Sequence, residues 1–280
     1  MATLILQGPQ LLRGDAEKIC ENVNGTLDVG AGYFRVQVDG DVNPQQLVQQ
    51  RQQAAFDINL LPEGFDPGAV KLLVTDMDST LINIECVDEI ADFVNVKPQV
   101  SEITEAAMRG EIDFETSLRR RIALLKGLKE DALAHVYRER LALNPGAQEM
   151  IAGLKTNGIH IALVSGGFTY FTDKLKARLG LDDTLANTLE FKNGELSGEI
   201  SGHIVGAQAK ADFLLQKCAE LGIKPSQVLA MGDGANDLVM MKEAGLSIAY
   251  HAKPAVQEQA HASLNHCGLE GVLGLLNIDV

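Results

Sequence analysis

The chain has 280 residues, 46% of them hydrophobic and 22% charged, and a net charge of −14 from 38 acidic and 24 basic side chains. These values are typical of a globular protein of one or two domains with a large hydrophobic core. Nucleic-acid-binding proteins normally present a basic face to the phosphate backbone, so the acidic balance argues against that class.

The first residues and the cysteines bear on the cellular compartment. Residues 1–7 lack the basic start and the long apolar region of a signal peptide. No uncharged apolar run approaches the roughly 20 residues that a membrane-spanning helix needs. The cysteines are widely spaced, which predicts neither a zinc site nor a disulfide framework: Cys20, Cys86, Cys218 and Cys267. We therefore expect a cytoplasmic protein with free thiols and no membrane partner.

Residues 1–66 have the pattern of a small α/β module without a constellation of chemically active residues. Strands are predicted at 3–7 and 33–38, and a short helix at 15–22. Asn43 followed by Pro44 is typical of a helix start and predicts a second helix over 45–56. The Pro- and Gly-containing segment 62–68 is the predicted linker.

Beyond Ala69 four short apolar runs alternate with helical stretches, at 70–75, 159–164, 228–231 and 246–249. Nearly continuous apolar runs are typical of parallel strands buried on both faces. Strands that alternate with helices predict βαβ units and a doubly wound sheet.

Two insertions interrupt this alternation. The longer one, about 82–143, has no strand pattern and shows helical spacing at 85–94, 98–109, 113–126 and 130–140. Helices inserted directly after the first strand are expected to cover the carboxyl edge of the sheet as a lid. The shorter one, 188–198, carries Asn193-Gly194 between alternating runs and predicts a β-hairpin.

Three apolar runs end in residues that a phosphoryl-transfer site requires: Asp76-Met77-Asp78-Ser79-Thr80, Ser165-Gly166-Gly167 and Gly232-Asp233-Gly234-Ala235-Asn236-Asp237. Ligands of open α/β sheets bind beyond the carboxyl ends of the strands, so these clusters are expected to converge. Each cluster taken singly has an ordinary structural explanation as a helix cap or a turn. Their joint occurrence favours the catalytic interpretation.

The two acids of the first cluster suit covalent catalysis. Asp76 and Asp78 lie two residues apart, so both carboxylates point the same way if the extended geometry persists. One carboxylate can attack phosphorus to form an acyl phosphate. The other can protonate the leaving oxygen and then deprotonate the water that clears the intermediate.

The other clusters supply phosphate and cation ligands. Ser165 and the glycine amides behind it can hold phosphate oxygens. Asp233 and Asp237 suit a hard cation. At about 4 Å and an effective dielectric of about 20, each like-charge pair costs on the order of 4 kcal/mol, so we expect Mg²⁺. Lys210, in a helix predicted over 207–221, is the candidate lysine, with a solvated surface lysine as the alternative.

These motifs resemble the haloacid dehalogenase superfamily of phosphatases over about residues 69–280, and are closer still to its phosphoserine phosphatase branch. The resemblance implies an α/β fold with a doubly wound Rossmann-like core, an inserted four-helix cap and the small N-terminal module. The implied boundaries are 67–82 and 144–280 for the core, 83–143 for the cap and 1–66 for the module, which itself lacks a clear match.

The resemblance also implies residue roles. Asp76 is the implied nucleophile and Asp78 the general acid/base. One Mg²⁺ would be held by Asp76, the Asp78 backbone carbonyl and Asp233, with Asp237 orienting the metal shell or Lys210. The implied substrate-binding residues are Ser165, Gly166, Lys210 and Asn236 in the core and Glu85, Met108, Phe114 and Arg121 in the cap.

The implied activity is that of a phosphoric monoester hydrolase acting on O-phospho-L-serine, the last step of L-serine biosynthesis. A cation, a carboxylate and a phosphate on one substrate need an acid, a forked arginine and the Mg²⁺/Lys site. Arg119 and Arg120 adjoin Arg121, so the choice among them depends on the family register. Another small phosphomonoester, phosphotransfer to an alcohol, and a catalytically silent binding protein are the alternatives. The oligomeric state is left open, a homodimer included.

Overall fold

A computed structural model describes residues 2–40 and 42–279, without the side chains of Pro44 and Met108. The strands form two sheets, one of four strands near the N-terminus and one of seven strands in the rest of the chain. Within the described residues, no helix combines the length and apolar character needed to cross a membrane.

The smaller sheet is antiparallel, with the strand order β2-β3-β1-β4. Its elements are β1 (Ala2–Gln7), α1 (Arg13–Asn22), β2 (Gly25–Val29), β3 (Tyr33–Val38), α2 (Pro44–Gln53) and β4 (Asp57–Leu60). Asn43 caps α2 as predicted, accepting from the Gln45 and Gln46 N–H groups. The predicted extension of this helix to residue 56 is wrong, because the chain turns into β4.

The larger sheet has the order β11-β10-β9-β5-β6-β7-β8 and is parallel except for β8. Its strands are β5 (Leu72–Thr75), β6 (His160–Phe168), β7 (Asp183–Lys192), β8 (Glu195–Ser201), β9 (Val228–Gly232), β10 (Leu246–Tyr250) and β11 (Ala262–Leu264). The predicted hairpin is confirmed as β7–β8, with φ of 56° at Asn193 and 81° at Gly194, as a two-residue turn requires. β7 also pairs with β6 and so extends the sheet.

Helices cover both faces of this sheet, which confirms the doubly wound prediction. They are α7 (Ala147–Thr156), α8 (Thr169–Leu179), α9 (Ala207–Leu221), α10 (Leu238–Glu243), α11 (Pro254–Gln257) and α12 (Gly271–Leu275). Successive side chains of a strand point to opposite faces. Leu73 accordingly belongs to the apolar cluster that contains α7, α8 and α12 residues, whereas Leu72 and Val74 belong to the cluster with α9 and α10 residues.

The four predicted lid helices are present as α3 (Cys86–Phe93), α4 (Lys97–Met108), α5 (Phe114–Ala123) and α6 (Glu130–Glu139). The lid contacts the β7–β8 hairpin through the backbone. The Gly127 N–H donates to the Leu196 carbonyl, and the Leu196 N–H donates to the Leu128 carbonyl, both at 2.8 Å. All four cysteines are buried and free, as expected.

Side chains of β4 join the two sheets. Asn59 donates to the Ser263 carbonyl at 2.9 Å and accepts from the Ser263 N–H at 2.8 Å. Asp57, which is 4% exposed, accepts backbone N–H groups from three successive residues beyond β11: Asn265, His266 and Cys267. The small sheet thus pairs with the β11 edge of the large one through side chains. The sequence pattern did not reveal β4, because its polar residues are buried only by these distant partners.

Replacing Asp57 by Ala should lower the free energy of unfolding by about 3 kcal/mol, because three backbone N–H donors, of which that of Cys267 is buried, would lose their acceptor. Urea denaturation measures this change. Asp28→Ala is the control, since Asp28 is an exposed acid of the same small sheet, and it should stay within about 0.5 kcal/mol of the unmodified protein. Equal losses in the two variants would contradict a joining role for Asp57.

Candidate active site

The ends of three neighbouring strands bring the predicted clusters together. β5 lies between β6 and β9, and Asp76 and Asp233 directly follow β5 and β9. Residues 165–167 form the irregular end of β6, where its pairing with β7 is interrupted, and are called loop 165–167 below. A cavity of about 110 Å³ is lined by residues from all three clusters and from the lid: Asp76, Asp78, Glu85, Val87, Phe114, Leu118, Arg121, Ser165, Gly166, Gly167, Asp233 and Asn236. Residues separated by 160 positions along the chain therefore share one cavity, as the sheet topology predicted.

Asp76 and Asp78 are each extended, with ψ of 164° and 135°, although a short helical turn, Met77–Leu81, begins between them. Ser79 then takes a left-handed conformation with φ of 55°, which is uncommon for a residue other than glycine. The Asp78 Oδ1 accepts the Cys86 N–H at 3.1 Å. This bond fixes the second acid against the start of the lid.

Lys210 is completely buried and lies between two acids of different clusters. Its Nζ donates to Asp76 Oδ1 and, at 2.7 Å, to Asp237 Oδ1. The surface-lysine alternative is therefore wrong. Burial acts to lower the pKa of the ammonium, but the charges of Asp237 and Asp76 outweigh burial and raise it. Lys210 carries a proton at every physiological pH.

Burial also governs the carboxyl groups. It raises the pKa of Asp76 well above the ordinary value, against the opposing charge of Lys210. Burial, followed by the charge of Glu85, raises the pKa of Asp78 to about 7. Burial, followed by the charges of Asp237 and Glu85, raises the pKa of Asp233 to about 6. The site concentrates more negative charge than the one buried lysine compensates.

The third cluster, residues 232–237, is tied to the first and to its own backbone. Thr80 Oγ1 donates to Asp233 Oδ1 at 3.0 Å. Asp237 Oδ2 accepts the Gly234 N–H at 3.1 Å. A Cβ on Gly232 would lie 2.3 Å from that same Asp237 oxygen, so glycine is required there. Sequence reasoning assigned no role to Thr80, and its hydroxyl becomes informative only when the two clusters meet.

Loop 165–167 packs closely against the first cluster. The Gly167 N–H donates to Ser165 Oγ at 2.8 Å. A Cβ on Gly167 would lie 2.8 Å from Asp78 Oδ2 and 3.0 Å from Ser165 Oγ. The absence of a side chain at Gly167 therefore allows the second acid and the hydroxyl to face the same space.

The lid contributes opposite charges to the cavity. Glu85 immediately precedes α3 and accepts from the Ser79 hydroxyl at 2.6 Å. Of the three adjacent arginines, all of them described, Arg121 in the last turn of α5 lines the cavity. Arg119 pairs with Glu115 on the surface, and Arg120 is exposed. The ring of Phe114 covers Gly166, where a Cβ would meet it at 3.1 Å. The side chain of Met108 lies outside the described part of the structure.

Residues 70–245, which make up more than half of the chain, match the family model of the haloacid dehalogenase-like hydrolases. The chain belongs to the haloacid dehalogenase-like hydrolases. A phosphoserine phosphatase from a Polaromonas species is 54% identical over 211 residues, covering 74% of this chain and 89% of that protein.

Two further relatives extend over the N-terminal module. The phosphoserine phosphatase of Vibrio cholerae is 48% identical over 94% of this chain and 80% of its own length. The crystal structure of a haloacid dehalogenase family hydrolase from Salmonella enterica serovar Typhi has a TM-score of 0.90 and 33% identity, covering 99% of both chains. The expectation that the first 66 residues lack a clear match is therefore wrong, since these similarities include most of them.

Proposed function

We propose that this hydrolase is a phosphoserine phosphatase that converts O-phospho-L-serine to L-serine and phosphate, the last step of L-serine biosynthesis. The observation that carries the proposal is the pairing of a buried Lys210/carboxylate cluster with an acid and an arginine on the opposing lid. A molecule with a phosphate, an ammonium and a carboxylate matches these three features. The two phosphoserine phosphatases at 54% and 48% identity support the same substrate.

The donor set fits one Mg²⁺. Carboxylate oxygens of Asp76, Asp233 and Asp237 lie within 4.8 Å of one another, and hard cations take oxygen ligands. Both Asp237 oxygens already accept bonds, from Lys210 and Gly234, whereas Asp76 and Asp233 each keep one oxygen without a partner among the described residues. We therefore propose Asp76, the Asp78 backbone carbonyl and Asp233 as ligands, with Asp237 holding Lys210. When bound, the ion would neutralise charge that accumulates on the phosphate oxygens.

The reaction proceeds in two steps on the first cluster. An Asp76 oxygen attacks phosphorus while the bond to the serine oxygen breaks, and Asp78 donates its proton to that oxygen. Asp78, now a carboxylate, takes a proton from water that attacks the aspartyl phosphate and releases Asp76 and phosphate. A pKa raised to about 7 suits a group that must give and accept a proton near neutrality.

The ends of the substrate are held separately. Ser165, the loop amide of Gly166, Lys210 and Asn236 are the proposed phosphate contacts. Glu85 is proposed to accept the substrate ammonium, and Arg121 to bind its carboxylate, with Phe114 and Met108 as apolar neighbours. Burial is the main cause that lowers the pKa of Arg121, yet guanidinium remains charged, so a partly dehydrated cation faces the cavity.

Arg121→Ala tests the substrate. The variant should lower kcat/KM for O-phosphoserine by about 100-fold, because one charge-assisted bidentate contact is lost. It should lower kcat/KM for p-nitrophenyl phosphate, which has no carboxylate, by less than about 5-fold. Arg119→Ala, two positions away on the same helix and paired at the surface, is the matched control and should leave both values unchanged. Equal losses on both substrates would exclude the carboxylate role and favour another phosphomonoester.

Removal of divalent cations tests the metal and the binding-protein alternative together. Phosphate release from O-phosphoserine should fall below detection in chelator, because the crowded carboxylates then repel the substrate phosphate, and should return on addition of Mg²⁺. Phosphate release that is insensitive to chelator would contradict the cation site. No release under either condition would favour a silent binding protein.

We also propose the three-part division into a module at 1–66, a core at 67–82 and 144–280, and a cap at 83–143. The separate sheet of β1–β4 and the four lid helices between β5 and β6 support it. A cytoplasmic location stays a prediction, and the oligomeric state stays open, a homodimer included.

A further inference from the structure

Loop 165–167 lies in a gap of the large sheet. The regular pairing of β6 with β7 is interrupted between Val164 and Phe168, which leaves backbone groups of the loop without ladder partners. A buried side chain of β7 closes this gap. Asn187 is 1% exposed, and its Nδ2 donates to the Gly166 carbonyl at 2.8 Å. An amide side chain therefore satisfies a half-buried backbone acceptor that the sheet does not.

This bond acts on Ser165 through one peptide unit. The Gly166 carbonyl and the Gly167 N–H belong to the same trans peptide, so they point in opposite directions. The Gly167 N–H donates to Ser165 Oγ at 2.8 Å. Because the hydroxyl oxygen accepts this bond, its own proton is available for a phosphate oxygen. Asn187 on one side of the peptide thus orients the Ser165 hydroxyl on the other.

The other half of the same amide reaches α9. Asn187 Oδ1 accepts the Val205 N–H at 2.8 Å. Val205 precedes Gly206, whose carbonyl accepts the helical hydrogen bond of the Lys210 N–H at 3.1 Å. One side chain therefore connects the loop that carries the serine with the start of the helix that carries the lysine. Asparagine offers both the donor and the acceptor that this connection needs.

We propose that Asn187 is a positioning residue for phosphate recognition, acting on Ser165 through the Gly166–Gly167 peptide. The inference rests on the proposed phosphatase function. Asn187 does not line the cavity among the described residues, so its effect must pass through the groups that it holds.

A double-mutant cycle tests this route. In the otherwise unmodified enzyme, Asn187→Ala should lower kcat/KM for O-phosphoserine by about 100-fold, as a misplaced contact does. In the Ser165→Ala background, Asn187→Ala should lower kcat/KM by at most about 10-fold. The hydroxyl that Asn187 orients is then already absent, so only the contact with Val205 is left to lose. Equal fold losses in the two backgrounds would overturn the proposal.

Asn59→Ala is the matched control. Asn59 is also fully buried and also makes one donor and one acceptor bond to backbone, but it joins the two sheets away from the cavity. Asn59→Ala and Asn187→Ala should lower the melting temperature to a similar extent. Asn59→Ala should keep kcat/KM for O-phosphoserine within about 2-fold of the value of the unmodified enzyme. An equal loss of kcat/KM in Asn59→Ala would overturn the proposal by showing that stability alone is responsible. Asn187→Asp keeps the acceptor for Val205 and replaces Asn187→Ala if that variant does not fold.

A second readout separates this inference from the substrate assignment. Titration of inorganic phosphate in the presence of Mg²⁺, followed by calorimetry, should show about tenfold weaker binding in Asn187→Ala than in the unmodified protein. Unchanged phosphate affinity would overturn the positioning role. An unmodified protein that binds phosphate but does not hydrolyse O-phosphoserine would refute the proposed function alone.

Discussion

Replacing Asp76 by Asn should abolish phosphatase turnover while leaving the protein folded. An amide nitrogen or oxygen in this position does not form the acyl phosphate, and loss of a nucleophile costs at least about 10⁴-fold in kcat. The fold should tolerate the change, because the Asn oxygen still accepts from Lys210. Burial raises the pKa of Asp76, so its charged form is disfavoured in the folded state, and a neutral amide removes that cost at pH 7.

The measurement is phosphate release from O-phosphoserine with Mg²⁺, together with urea denaturation. The free energy of unfolding of Asp76→Asn should equal or exceed that of the unmodified enzyme, since Lys210 then faces the single charge of Asp237. Asp131→Asn, an exposed acid at the start of α6, is the control and should retain full activity. Substantial turnover by Asp76→Asn would show that the nucleophile is another residue.

Replacing Lys210 by Met should remove both activity and stability. The variant leaves Asp76 and Asp237 buried side by side without a cation, and breaking a buried ion pair in this way costs about 3–5 kcal/mol. Activity should be lost because the proposed phosphate contact is gone. Lys217→Met is the control on the same helix: its ion pairs with Asp183 and Glu220 lie near the surface and should contribute less than about 1 kcal/mol.

The stability deficit of Lys210→Met should depend on pH in a defined direction. Burial already raises the pKa of the Asp76 carboxyl, and without the opposing charge of the ammonium this pKa is raised further above its unfolded value. Such a group destabilises the folded protein at high pH, and the penalty falls as the pH drops through the folded-state pKa and a proton is taken up. Urea denaturation should therefore show a smaller deficit at pH 5.5 than at pH 8. A deficit that grows on acidification would contradict the buried arrangement.

Some parts of the fold and of the site follow from local pattern. The apolar runs predict the strands β5, β6, β9 and β10, because strands buried on both faces need apolar residues at nearly every position. The helix predicted over 207–221 is found as Ala207–Leu221, with Gly222 in the left-handed conformation that ends helices. The acids and the serine were predicted as a cluster because they follow these strands, and the structure places them close together, with Lys210 in contact with two of the acids.

Other parts depend on partners that are distant in the chain. β4 and β11 are short and carry polar residues, and their burial depends on bonds such as Asn59 to Ser263. Asn187 stands in an ordinary strand, and nothing next to it marks its contacts with Gly166 and Val205. Local patterns report how a segment folds, whereas these contacts are created only when separate segments meet.

By itself the sequence determined the strands β5, β6, β9 and β10, the four lid helices, the three clusters of reactive side chains and the edge of the sheet at which they meet, because each depends on neighbouring residues and on the geometry of parallel strands. The tertiary structure alone decided that Lys210 is buried between two acids, that Arg121 rather than its neighbours enters the cavity, and that Asn187 connects loop 165–167 to α9. Burial and hydrogen-bond partners are properties of packed elements, so they arise only from the assembled fold.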